Sequence, residues 1–160
     1  MITSVTSLPY RPCVGIMLLN HDKKVWTGER LDTPGAWQMP QGGIDEGESP
    51  LHAALRELGE EISVSPEQVD LIGQTADWLR YDLPDHLLGK IWGGRYRGQQ
   101  QHWFLMRLKD GLDDSVIDTS TKHPEFGRWR WTAPACLSEQ IVAFKRPVYD
   151  ALLTEFAPYL

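Results

Sequence analysis

The chain has few cysteines, no long apolar run and no excess of positive charge. Cys13 and Cys136 are its only cysteines, and neither belongs to a CxxC or similar zinc-ligand spacing, so we interpret both as reduced packing residues. No apolar run approaches the roughly 18 residues of a membrane helix. The first 12 residues lack a basic segment and a long apolar segment. We therefore expect neither secretion nor membrane insertion, and a cytoplasmic location.

The charge balance limits the kind of partner. Sixteen basic and 22 acidic residues give a formal net charge of −6, which argues against tight nonspecific binding along a nucleic-acid backbone. A protein that contacts only the end of a nucleic acid remains compatible with this charge. The sequence also lacks a P-loop, a dinucleotide-binding fingerprint, a Ser-His-Asp order and any internal repeat. With 160 residues and 41% hydrophobic content, we expect residues 1–160 to form a single domain.

A cluster of carboxylates is the most informative feature that is present. Glu57, Glu60 and Glu61 have the spacing i, i+3, i+4, which brings them together on one side of a predicted helix. Two like charges about 6 Å apart repel by roughly 3 kcal/mol at an effective dielectric constant of about 20. Such a cluster needs a cation, and hard divalent ions prefer oxygen ligands. The alternative is an ordinary solvated helix face.

The residues around the carboxylates predict the helix itself. Ser49 is the expected N-cap and Pro50 the first helical residue. Arg56 stands four residues before Glu60, where the two side chains can pair. An apolar stripe on the opposite side is expected to face the core, and it comprises Leu51, Ala54, Leu55, Leu58 and Ile62.

The remaining pattern predicts a mixed α/β order. Expected strands cover Cys13–Leu19, Val25–Arg30, Leu71–Leu79, His102–Leu108 and Gly127–Trp131. A polar turn is expected at Asn20–Lys24, a glycine-rich loop at Pro84–Gly98 and a terminal helix at Pro147–Phe156.

The spacing around the predicted helix resembles the Nudix box. Gly42, five residues, Glu48, seven residues and then Arg56-Glu57-Leu58-Gly59-Glu60-Glu61 follow the family pattern Gly-x5-Glu-x7-Arg-Glu-U-x-Glu-Glu-x-Gly-U, in which U is apolar. The resemblance implies an α/β/α sandwich with a mixed sheet, and hydrolysis of a phosphoanhydride with Mg²⁺ or Mn²⁺. One position departs, because Ser63 stands where the family has glycine. We expect a small change of geometry there without loss of metal, since no ligand is altered.

The resemblance extends over nearly the whole chain to the bacterial RNA pyrophosphohydrolase group, which also includes asymmetric dinucleoside polyphosphate hydrolases. The segments that carry it are Tyr10–Ile16, Trp37–Gly43, Gly98–Phe104, Pro124–Phe126, Trp129–Trp131 and Phe144–Tyr149.

This resemblance assigns roles to individual residues. The expected metal ligands are Glu57, Glu60, Glu61 and Glu125, and the expected catalytic residues are Glu57, Glu61, Glu125 and Arg56. Which carboxylate takes the proton of the attacking water stays open, with Glu57 the first candidate. Without the resemblance, Glu125 would be an ordinary loop carboxylate.

The expected substrate contacts come from four further segments. The residues expected to contact the substrate are Arg11, Arg30, Gln41, Gly42, Phe144 and Lys145. Arginine can grip phosphate oxygens or stack on a base, and an aromatic ring beside a lysine suits an unpaired nucleotide end. The alternatives are solvated strand-end positions for the two arginines, and for Phe144 a packing contact that opens the last helix.

Three functions follow from these assignments. The leading one is removal of pyrophosphate from the 5′-triphosphate end of RNA, leaving a 5′-monophosphate and so initiating decay. The second is asymmetric hydrolysis of a diadenosine tetraphosphate-type nucleotide into a triphosphate and a monophosphate. The third is a noncatalytic nucleotide or RNA sensor. Neither DNA nor a membrane is an expected partner, and the sequence names no protein partner.

Overall fold

The structure is a computed structural model that describes residues 7–160. Residues 1–6, half of the stretch in which no secretion signal was expected, lie outside the described residues. The strands are β1 (Tyr10–Leu19), β2 (Val25–Arg30), β3 (Trp37–Gln38), β4 (Gln41–Gly43), β5 (Val69–Gln74), β6 (Leu79–Asp82), β7 (Gly98–Leu108) and β8 (Phe126–Thr132); the helices are α1 (Pro50–Ile62), α2 (Leu137–Gln140) and α3 (Arg146–Glu155).

One mixed sheet organises the chain. Its central order is β3-β2-β1-β7-β5, and β4, β6 and β8 pair with β1, β7 and β2. β1 and β7 run parallel from Tyr10 opposite Gly98 to Leu19 opposite Arg107, whereas the other pairs are antiparallel. The prediction of a mixed sheet is confirmed.

The alternation of side chains along β1 builds two cores. Because successive strand residues point to opposite faces, Val14, Ile16 and Leu18 pack with α1, whereas Met17 and Leu19 pack with α3. β7 repeats this division, with Phe104 and Met106 on the first face and Trp103 and Leu105 on the second. The two central strands are therefore buried on both faces, and the helices cover the sheet as an α/β/α sandwich, as predicted.

The start and end of α1 follow local rules. Ser49 is its N-cap and accepts a hydrogen bond from the backbone N–H of His52 at 3.2 Å, as predicted. At the other end, Ser63 keeps the left-handed conformation that the family pattern assigns to glycine, with φ 65°. The Ser63 hydroxyl donates to the carbonyl of Asp118 at 2.9 Å, a contact that glycine could not make.

The buried face of α1 differs from the predicted stripe. Ala54, Leu58 and Ile62 are buried as expected, but Leu51 is 37% exposed because the first turn reaches beyond the core. Ala53 is fully buried in its place. Two neighbouring rows with i, i+4 spacing therefore face inward, one starting at Ala53 and the other at Ala54.

Other elements differ mainly in extent. The prediction of one strand over Leu71–Leu79 is wrong. The chain instead forms two strands, β5 and β6, which pair with the same edge of β7 and are separated by a short break. β7 starts four residues earlier than predicted, at Gly98. β2 has the predicted bounds, and α3 and β8 differ from prediction by one residue at each end. The very short β3, β4 and α2 were not predicted, since two to four residues carry too little periodicity.

Two smaller predictions concern the whole fold. Both cysteines are free, Cys13 buried and Cys136 partly buried, in agreement with their interpretation as packing residues. Within residues 7–160, no helix combines the length and apolar character required to cross a membrane.

Candidate active site

Arg56 is the centre of an ion-pair network at the surface of α1. Its guanidinium donates to both carboxylate oxygens of Glu48, at 2.8 and 2.9 Å, and to the carbonyl of Gly43 at 3.0 Å. The same group donates to Glu57 at 2.9 Å and to Glu60 at 3.2 Å. Arg56 and its neighbours hold the pKa of Glu48 at about 2. The arginine thus fixes one side of the Glu57 carboxylate and ties the preceding loop to the helix.

The three box carboxylates do not share one environment. Glu57 and Glu61 lie in the inward row that starts at Ala53, whereas Glu60 lies in the outward row with His52 and Arg56. The Glu60 side chain is accordingly 59% exposed, that of Glu57 is 12% exposed, and Glu61 is 4% exposed as a residue. The structure therefore groups Glu57 with Glu61 and turns Glu60 towards Arg56.

Glu61 is a buried carboxylate without a partner. Neither of its oxygens has a hydrogen-bond donor. Burial raises the pKa of Glu61 well above its usual range, and the neighbouring carboxylates of Glu125 and Glu57 raise it further. Burial also raises the pKa of Glu57, against the opposing effect of Arg56. When these acids are ionised, Arg56 pairs with Glu57 but no donor reaches Glu61, so the charge of Glu61 is uncompensated.

This cluster fits a divalent cation by its donor chemistry. Oxygen ligands suit Mg²⁺ and Mn²⁺, and a cation would satisfy the two unpaired oxygens of Glu61 and relieve repulsion from Glu57 and Glu125. In the described part of the chain, no three histidine, cysteine, aspartate or glutamate side chains stand in a ready-made coordination geometry. The fit thus depends on charge and burial and not on a preformed coordination shell.

Gly42, in β4, lies directly against the Glu57 carboxyl of α1. A Cβ atom at Gly42 would overlap the Glu57 carboxyl group, so any other residue would displace that group. Gly42 lies in β4, opposite Val14 of β1. The sheet therefore places a residue without a side chain against the carboxylate, which explains why a glycine is needed here.

A cleft of about 710 Å³ adjoins the cluster. Its lining includes Glu57 and Glu125 together with all six predicted substrate contacts, namely Arg11, Arg30, Gln41, Gly42, Phe144 and Lys145. These residues come from segments that are far apart in the sequence and meet only in the folded chain.

Two cationic side chains share the polar wall of this cleft. Arg30 donates to Asp32, with an Nε–Oδ1 distance of 2.7 Å, and to the amide oxygen of Gln38 at 3.2 Å. Lys145 is 7% exposed and its Nζ lies 3.5 Å from the same Gln38 oxygen. Burial and, to a smaller extent, the nearby Arg30 charge lower the pKa of Lys145 to about 8. An anion in the cleft would compensate both charges.

Aromatic side chains form the apolar wall. The rings of Tyr81 and Phe144 have centroids 5.6 Å apart, and the Lys145 ammonium lies about 6 Å from each ring. Phe144 also packs against the core beneath α3, which agrees with the alternative interpretation of this ring as a packing residue. The same ring can therefore serve packing and offer a face to the cleft.

Sequence reasoning did not single out several residues of the site. Glu48 was a visible signal, since it occupies a fixed position of the motif, yet its pairing with Arg56 was not anticipated. Asp32, Gln38, Tyr81 and Gln99 also line the cleft. Gln38 and Gln99 fall within segments that carried the family resemblance, whereas no local pattern marks Asp32 or Tyr81.

Comparison with known proteins places the chain among curated sequences of one kind. The NUDIX domain model matches residues 9–152. An RNA pyrophosphohydrolase of Sphingopyxis alaskensis is 56% identical over 152 residues, covering 94% of this chain and 95% of the relative. An RNA pyrophosphohydrolase of Roseobacter denitrificans is 54% identical, covering 98% of this chain and 97% of the relative.

Solved structures with low sequence identity share the fold. The E. coli dihydroneopterin triphosphate pyrophosphohydrolase superimposes with a TM-score of 0.68 at 20% identity, covering 92% of this chain and 99% of that one. A C. elegans Ap4A hydrolase binary complex gives a TM-score of 0.68 at 18% identity, covering 94% of this chain and 99% of that one.

Proposed function

Because this chain belongs to the Nudix hydrolase family, we propose that it is an RNA pyrophosphohydrolase, which removes pyrophosphate from a 5′-triphosphate RNA end and leaves a 5′-monophosphate. The observation that carries the proposal is one cleft in which buried carboxylates meet cationic and aromatic side chains. Carboxylates suit a metal ion, cations suit phosphates and a ring suits an unpaired base. We place the reaction in the cytoplasm, where it would initiate RNA decay.

Nudix hydrolases generally require a divalent metal, and we propose Mg²⁺ or Mn²⁺ here. Glu57, Glu61 and Glu125 would hold it, with Glu60 joining only if it leaves Arg56. Bound metal supplies charge neutralisation at the phosphates and lowers the pKa of a coordinated water. Arg56 fixes the orientation of Glu57, which is our candidate for accepting the proton of the attacking water.

The cationic and aromatic walls would hold the substrate end. The positive charges of Arg11, Arg30 and Lys145 would stabilise a bound triphosphate, which carries several negative charges. Phe144, with Tyr81 behind it, would stack on the first base. Gln41 and Gly42 lie beside the carboxylates and would orient phosphate oxygens. Phosphate and base would thus be gripped at one RNA end, which a protein of net charge −6 can manage.

The test is identification of products. Triphosphate RNA and diadenosine tetraphosphate are incubated separately with the protein and Mg²⁺, and the products are identified by mass spectrometry. We expect faster conversion of RNA to its 5′-monophosphate, with loss of at least about 100-fold in Glu57→Gln. Glu46→Gln, which alters an exposed glutamate in the loop before α1, is the matched control.

Other outcomes would reassign the protein. Preference for the dinucleotide would favour asymmetric dinucleoside polyphosphate hydrolysis. Absence of turnover on both substrates would favour the sensor.

A further inference from the structure

The loop between β6 and β7 forms one side of the cleft and is internally bonded. Its base is closed by the N–H of Leu83, which donates to the carbonyl of Arg97 at 2.8 Å. Within the loop, the Leu88 N–H donates to Pro84 at 3.1 Å and the Gly94 N–H donates to Ile91 at 3.0 Å. The loop therefore presents its side chains to the cleft from a defined backbone.

Trp92 occupies a strained position in this loop. Its φ is 52°, in the left-handed region, and Gly93 and Gly94 follow with φ of 66° and 72°. Glycine adopts this region freely, whereas a bulky residue does so only when other contacts compensate. The indole of Trp92 must therefore make contacts that a glycine at the same position would forfeit.

The main polar contact of the indole is Arg11. The Arg11 guanidinium lies 5.5 Å from the centre of the Trp92 ring, within the range of a cation–π interaction. Among residues 7–160, no carboxylate lies within 4.0 Å of Arg11, in contrast to Arg30, which pairs with Asp32. Its remaining hydrogen bond is a long one, from Nη1 to the Cys13 sulfur at 3.5 Å.

The type of contact matters for phosphate binding. A carboxylate partner would occupy the in-plane N–H donors of the guanidinium, whereas an aromatic face leaves those donors free. Gly43 allows the guanidinium to lie beside β4, because a Cβ there would come within 2.6 Å of Nη2. Arg11 is thus oriented while its donors remain available to an anion.

We propose that Trp92 is a positioning residue, which holds Arg11 in the orientation that binds substrate phosphates. This inference depends on the proposed function, because it assigns a phosphate to Arg11. The loop between β6 and β7 then sets substrate affinity without touching the reacting atoms. Replacing the indole should free Arg11 to adopt other rotamers. Binding of a phosphate would then have to restrict the Arg11 side chain again, which lowers the affinity for substrate.

The experiment measures KM and kcat separately for a short 5′-triphosphate RNA. We expect KM to rise about 3- to 10-fold in Trp92→Leu, the size of one cation–π contact, while kcat changes less than about twofold. Trp92→Phe should restore most of the affinity. Trp92→Asn, whose side chain tolerates the left-handed backbone, is a second truncation and should match Trp92→Leu. Leu88→Ala removes an apolar side chain of the same loop that packs on the core and does not line the cleft, and it should leave KM within about twofold of wild type.

The double variant decides between positioning and direct contact. In an Arg11→Gln background, Trp92→Leu should cause no further rise in KM, because the positioned group is absent. An equal rise in both backgrounds would overturn the proposal and indicate that the indole contacts the substrate itself. An equal effect of Leu88→Ala would also overturn it, since loop disorder would then be the cause. A wild-type protein inactive on triphosphate RNA would instead refute the proposed function.

Discussion

Gly42 and the Glu57 carboxyl are so close that only a hydrogen side chain fits between them. In Gly42→Ala, the new Cβ would occupy the position of that carboxyl and push it out of the cluster. We expect kcat to fall by about 10- to 1000-fold with a modest loss of stability, because the change displaces the carboxyl that we propose as a catalytic group. Steady-state kinetics and thermal unfolding measure the two effects.

Gly59 provides a matched control within the same motif. A Cβ at Gly59 would lie 3.7 Å from the Val64 carbonyl oxygen, an ordinary contact. Gly59→Ala should therefore leave activity near wild type and raise helix stability by about 0.5 to 1 kcal/mol. Equal loss of activity in both glycine variants would contradict the packing explanation for Gly42.

Lys145 shows how the site opposes stability. Its pKa falls from 10.5 to about 8 in the folded protein. Below the folded value both states are protonated and the full cost of burying the charge is present; as pH rises from about 8 to 10.5, this cost is lost. Lys145→Met should therefore raise the free energy of unfolding at pH 7 by roughly 1 to 3 kcal/mol.

The gain should shrink towards pH 10, which denaturant titrations at several pH values would show. The same variant should lose affinity for triphosphate RNA, since it removes a cation from the cleft. Lys122→Met, at an exposed position, should change stability little at any pH. A pH-independent gain in Lys145→Met would indicate better apolar packing and not relief of buried charge.

At the scale of elements, α1 separates its acidic residues by row. Its capping at Ser49 and its apolar periodicity are local, so the helix was predictable from sequence. The inward position of Glu61 was not, because it depends on how the helix rotates against the sheet. Leu51 and Ala53 illustrate the same limit, since one is exposed and the other is buried contrary to the simplest stripe.

The inward row makes a prediction about metal and stability. In chelator, Glu61→Gln should raise the unfolding free energy by about 1 to 2 kcal/mol, because it removes a buried, unpaired charge. The stabilisation that added Mg²⁺ or Mn²⁺ gives to the wild type should diminish in this variant. Thermal unfolding with and without metal measures both quantities.

Glu60→Gln is the comparison, because the Glu60 side chain is 59% exposed and its pairing with Arg56 is a surface contact. Its unfolding free energy in chelator should change by less than about 0.5 kcal/mol. A larger stabilisation in Glu60→Gln than in Glu61→Gln would contradict the separation of the two rows.

For the whole molecule, the negative net charge limits how much RNA can be bound. Arg11, Arg30 and Lys145 line the cleft while the total charge is −6, so nucleotides beyond the cleft should gain little attraction. We expect kcat/KM for triphosphate RNA to become constant beyond about three nucleotides. A length series at fixed salt, with a 5′-monophosphate series as binding control, measures this. A continued rise with length would indicate an additional RNA-binding surface.

The sequence by itself determined the motif, the helix that carries it and the central strands, because capping, box spacing and alternation act over a few residues. Only the tertiary structure decided that Arg11, Arg30, Glu57, Glu125 and Phe144 line one cleft. It also decided that Glu60 turns away from Glu61 and that Trp92 meets Arg11. These contacts depend on the register of paired strands and the rotation of a helix on the sheet, which burial of the whole core fixes and no local pattern specifies.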